Sequence, residues 1–145
     1  MYRELLESCI KDHKWAKLQR PCPEEEISET EKYVGFAFPA DLKNLLRETD
    51  GDHWLLLSAK EIRENVKRNR EIFPEYLESE EFEEKVNRFI FFGTNGCGDY
   101  YCYKVLPDSR TDESAVYIWE HELFEAGKAA ADIKELIIKY YNDEI

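Results

Sequence analysis

Near residue 88 the apolar residues change their period. Before it they recur at helical spacing; from Phe89 onward they alternate. The segments Phe89–Gly93, Asp99–Val105 and Ala115–Glu120 read as strands, joined first by TNGCG and then by the polar loop PDSRTDES. In the last of them Val116 and Ile118 face one way and Tyr117 and Trp119 the other, the pattern of a central strand covered on both sides. Ile133, Leu136, Ile137, Tyr140 and Tyr141 then form the apolar stripe of a closing helix. Helices first, a strand meander late and one packed helix at the end predict a single α+β domain with a largely antiparallel sheet packed with helices.

The helical half is punctuated clearly. Leu5, Leu6, Cys9, Ile10 and His13 predict a helix over residues 2–13. Pro23 suits a helix start, Glu24, Glu25 and Glu26 complement the positive end of its dipole, and Gly35 marks its end. Pro39 opens a third helix, with Gly51 just past its end in the loop DGDHW. Trp54–Leu57 reads as a short strand. Ser58 and Glu61 have capping-box spacing and open a basic helix over residues 59–72, which Pro74 stops. Residues 79–87 predict a further helical turn or two, inside a stretch whose acidic part, 75–84, reads as a solvated charge run.

With 145 residues, 43% of them hydrophobic, the chain can build one core despite a net charge of −12. The charged residues near Met1 leave no room for an apolar leader, and no uncharged run is long enough to span a membrane, so a cytoplasmic location is expected. Cys9, Cys22, Cys97 and Cys102 are then expected to be reduced thiols. The negative charge disfavours nucleic acid and anionic lipid as partners and favours a basic protein.

The stretch FFGTNGCGDYYCY, Phe91–Tyr103, invites three chemical readings. A phosphate loop needs a lysine and a following helix, whereas here the glycines run into Asp99 and a strand. Cys97 and Cys102 have no second ligand pair for a closed metal site, and their C-x₄-C spacing is not that of a redox pair. Asn95-Gly96, with Gly98 behind it, is instead a strong hairpin signal. Glu120-His121-Glu122 would point to opposite faces along a strand, and Asp50-Gly51-Asp52-His53 lacks the ligands of a calcium loop. No catalytic residue, cofactor or metal is expected.

The ordered set PEEEISETEKYVGFAFPADLKNLLRETDGDHW, IFFGTNGCGDYYCYKV and AVYIWEHE resembles the SUKH superfamily, the cell-wall-assembly-regulator-like domains of the Smi and Knr type, over about residues 20–141. Cys97 and the DGD variant at 50–52 depart from the commoner glycine-rich forms, and 75–84 looks like a variable insertion. The resemblance implies a bacterial immunity protein that binds and neutralises a cognate toxin domain, often a nuclease. A regulatory scaffold is the second reading and a small hydrolase the third. On charge and on the weight of aromatics at interfaces, the candidate partner-binding residues are Trp54, Tyr100 and Tyr101 beside Asp50, Asp52, Asp99, Glu120 and Glu122, with Gly51, Asn95, Gly96 and Gly98 as structural turn residues.

Overall fold

A computed structural model describes residues 1–145. The helices are α1 (Tyr2–Cys9), α2 (Glu24–Val34), α3 (Ala40–Glu48), α4 (Ala59–Ile72), the short α5 (Ser79–Phe82) and α6 (Ile133–Tyr141). The strands are β1 (Phe89–Thr94), β2 (Tyr100–Val105), β3 (Thr111–Glu120) and β4 (Glu125–Ala130), all antiparallel in the order β1-β2-β3-β4. This is the expected α+β domain. The strand at 115–120 is indeed internal, since β3 lies between β2 and β4.

Several boundaries follow the local chemistry. Pro23 and Pro39 sit one residue outside α2 and α3 with extended backbone, as N-caps, and Gly35 closes α2 in the left-handed conformation. The Ser58–Glu61 capping box forms in both directions, and α4 begins and ends where the sequence places it. Helix α1 stops at Cys9, short of the expected 13, because the chain turns so that His13 packs edge-on to Tyr141 with ring centroids 4.8 Å apart.

Two other departures concern strands. Trp54–Leu57 forms a single bridge, Leu56 to Gly93, flanked by Leu57 N–H to Phe92 O at 2.9 Å and Thr94 N–H to Leu55 O at 2.8 Å. It nevertheless covers the Phe92–Thr94 end of β1's outer edge. Strand β4 was not expected at all, and β3 begins at Thr111 rather than 115.

The alternation in β3 builds two cores. On one face Ile90, Phe92, Tyr101, Tyr103 and Val116 join Leu6, Ile27, Leu42, Leu45, Leu46, Ile62 and the apolar side of α6. On the other Phe91, Cys102 and Trp119 pack with Val86, and Phe73, Leu77 and Phe82 close over them. The segment after α4, a 3₁₀ turn at Phe73–Glu75, α5 and a π turn at Glu83–Asn87, is thus the lid of the second face. Its glutamates face water while its apolar residues seal Trp119, whose indole N–H donates to Lys85 O at 2.7 Å.

Candidate interaction surface

The DGDH loop turns inward. Gly51 has φ +79°, and the Asp52 that follows is 0% exposed. The Asp52 carboxylate accepts the backbone N–H groups of Trp54 (3.0 Å) and Leu56 (2.8 Å) and the Tyr141 hydroxyl (2.5 Å). Burial pushes the Asp52 carboxyl up, against those three hydrogen bonds, and pushes the Tyr141 hydroxyl up as well. Asp52 is therefore a buried tie between the loop and α6, and not the surface acid that the charge pattern suggested. Asp50 also points inward, accepting from Ala59 N–H at 2.8 Å.

The hairpin between β1 and β2 is held by side chains rather than by a two-residue turn. Positive φ occurs at Gly96 (+79°) and Gly98 (+96°) but not at Asn95. Asn95 instead accepts Cys97 N–H at 2.9 Å and donates to Asp99 at 3.1 Å, while Thr94 Oγ1 accepts Gly96 N–H at 3.0 Å. Asp99 also accepts from His121, from its N–H at 3.1 Å and its Nδ1 at 2.7 Å, which fastens the tip to the β3–β4 turn. Burial would raise the Asp99 carboxyl, but His121 and Asn95 outweigh it and hold it low; Asp99 in turn raises His121. The sequence reading of Glu120-His121-Glu122 missed this pairing, since its partner lies 22 positions away.

Beyond the hairpin, α6 leaves one corner of the sheet uncovered. A groove of about 590 Å³ there is lined by residues that include Trp54, Tyr101, Ile118 and Tyr140 together with the polar Asn95 and Lys128. It adjoins, through Ile118, a depression of about 280 Å³ bounded by Asp99, Glu120, Glu125 and Gly127. Trp54 is 45% exposed, whereas Tyr101 is only 2% exposed and forms floor rather than rim, a correction to its expected place on the surface. Tyr100 lies on the opposite face, half-buried against Phe91 and Trp119, so it cannot share this groove. Glu122 is exposed on the turn beside His121.

The structure thus gathers Trp54, Tyr101, Asp99 and Glu120, and separates from them Asp50, Asp52 and Tyr100. Ile118, Tyr140, Glu125 and Gly127 belong to the corner and went unflagged; only an anticipated β4 would have brought the last two in. Glu120 and Glu125 are directly opposite in the β3–β4 register, a like-charge pair that opposes folding and welcomes a cation from outside.

The four cysteines are unpaired. Cys102 is fully buried and Cys97 exposed at the hairpin tip. The ligating atoms of Cys22, Glu26 and Asp50 lie within 4.8 Å of one another. Burial first, and then Asp50, pushes the Cys22 thiol up to about 12, which keeps it protonated, and Arg63 already bonds Glu26 at 3.2 Å. Those groups satisfy one another as an internal latch between α2, α4 and the loop at Asp50. No helix is long and apolar enough to cross a membrane.

The model of the SMI1 / KNR4 family (SUKH-1) matches residues 21–139. The chain belongs to this family. The match runs from just before α2 through most of α6, so it takes in the whole sheet and most of both cores, while Leu6 of α1 and Tyr140 of the groove lie outside it. No curated protein sequence matches the chain.

Proposed function

We propose that this SUKH-1 domain is a non-catalytic protein-binding module of the immunity type, which holds and neutralises a basic toxin domain, nuclease toxins being the class its charge suits best. The observation carrying this reading is the open corner: an exposed indole and a tyrosine-lined groove beside the carboxylates of Asp99, Glu120 and Glu125. Aromatic anchors in a concave, desolvating site supply affinity, and surrounding acids speed the encounter with a basic surface. A nuclease presents such a surface because it must hold phosphates. Family membership supports the same reading.

Co-expression tests it. The toxin domain encoded beside this gene should arrest growth alone and be tolerated when the chain is present, and the two should co-purify. Unrelieved arrest with soluble, folded chain present would refute the immunity reading.

A further inference from the structure

The sheet's two edges are treated differently. The outer edge of β1 is covered at Phe92–Thr94 by the Leu55–Leu57 segment, whereas β4 pairs only with β3, and none of the backbone hydrogen bonds outside helices and strands involves residues 125–130. The outward N–H and C=O groups of β4 are therefore open to another strand. Edge strands are commonly guarded by proline, bulges or crowded charge; β4 has a register irregularity at its far end, where the pairing steps from Ala130 to Lys128, but its Glu125–Lys128 stretch pairs regularly with β3 and carries only Glu125 and Lys128 as charges.

The cross-strand register says what would fit. One rung on the open face runs Tyr101–Ile118–Gly127, and the next ends in Glu120–Glu125 with Asp99 at its inner side. At Gly127 a side chain would meet nothing within 4 Å, so the end of the apolar rung is open space, in a depression that Gly127 shares with Ile118, Ala126 and the carboxylates of Asp99, Glu120 and Glu125. Side chains two apart on an added strand fall on one face and continue successive rungs.

Building on the immunity reading, we infer that the partner binds by strand addition to β4, through an extended segment that sets a basic residue beside Glu125 and a large apolar residue beside Gly127, two positions apart. Backbone bonds supply the docking, and the alternate side chains supply selection. A second copy of this chain is the poorer occupant, because each copy carries a net charge of −12 and would bring its own Glu125 to the shared edge.

The test uses the full chain and a nine-residue peptide, Ser-Thr-Ser-Arg-Thr-Leu-Thr-Ser-Thr, followed by amide exchange and ¹⁵N shifts. Binding should perturb residues 125–130 and slow exchange of the outward amides there at least tenfold. N-methylation of alternate peptide nitrogens on the docking edge, or glutamate in place of the arginine, should weaken binding at least tenfold. So should Glu120→Lys with Glu125→Lys in a chain of unchanged melting temperature. Equal binding of the N-methylated peptide, perturbation elsewhere than β4, no binding at millimolar peptide, or self-association through β4 would each overturn the inference. A toxin neutralised while β4 amides exchange as before ends strand addition and leaves the immunity reading intact; peptide addition without toxin neutralisation does the reverse.

Discussion

Tyr141, at the end of α6, donates its hydroxyl to the buried carboxylate of Asp52 at 2.5 Å, joining residues 89 positions apart. The same Asp52 shapes the loop that presents Trp54, accepting the Trp54 N–H at 3.0 Å. The closing helix thus sets the position of the groove's most exposed aromatic side chain. Tyr141→Phe should cost about 1–3 kcal/mol, because a buried acceptor loses a partner that nothing else can replace. Urea denaturation measures it; wild-type stability in this variant would show that the bond contributes nothing.

Asp52 also predicts a pH dependence. Its folded value lies above the ordinary 3.8, so the folded state binds this proton more tightly than the unfolded chain does. That contribution is full below 3.8 and is lost as pH rises through the raised folded value. Replacing Asp52 by Asn should flatten this part of the stability profile; an unchanged slope there contradicts the assignment.

The Asp99–His121 pair has the opposite signs on its two members. His121 is raised, so its contribution is present below about 6.5 and fades as pH climbs through its folded value. Asp99 is lowered, so its contribution is present above 3.8 and fades as pH falls through its folded value. Asp99→Asn should bring the His121 titration, followed by NMR, back toward 6.5. A His121 titration unmoved by Asp99→Asn would mean that the two do not interact in solution.

Gly98 is more constrained than Gly96. Both have positive φ, which costs a substituted residue about 1 kcal/mol or more. A Cβ on Gly98 would also stand 3.0 Å from the His121 ring, whereas one on Gly96 meets nothing. Gly98→Ala should therefore lower the melting temperature more than Gly96→Ala; the reverse order would contradict this hairpin geometry.

These residues also show how far the sequence carries. The strands at Phe91, Tyr101 and Trp119 and the capped helix at Ser58 were legible because their patterns are local: alternation in the first, a three-residue side-chain reach in the second. Strand β4 was not. Glu-Ala-Gly-Lys-Ala-Ala carries no β-branched or aromatic residue, and its conformation comes from pairing with β3. At the open corner, Trp54 and Glu120 could be picked out by type and charge. Asp52 and Tyr101 are indistinguishable in sequence from surface acids and interface tyrosines, since their burial depends on α6 arriving from far along the chain.

On the proposed function, the acids of the open corner steer a basic partner onto it. The most direct measurement is the rate of association of the chain with its proposed toxin partner, by stopped flow from low to high salt, for the parent and for Glu120→Lys with Glu125→Lys. The parent rate should reach up to about 10⁸–10⁹ M⁻¹s⁻¹ at low salt and fall steeply with ionic strength, while the reversed pair should associate more slowly and with a shallower salt dependence. An on-rate indifferent to salt and to both reversals would contradict it.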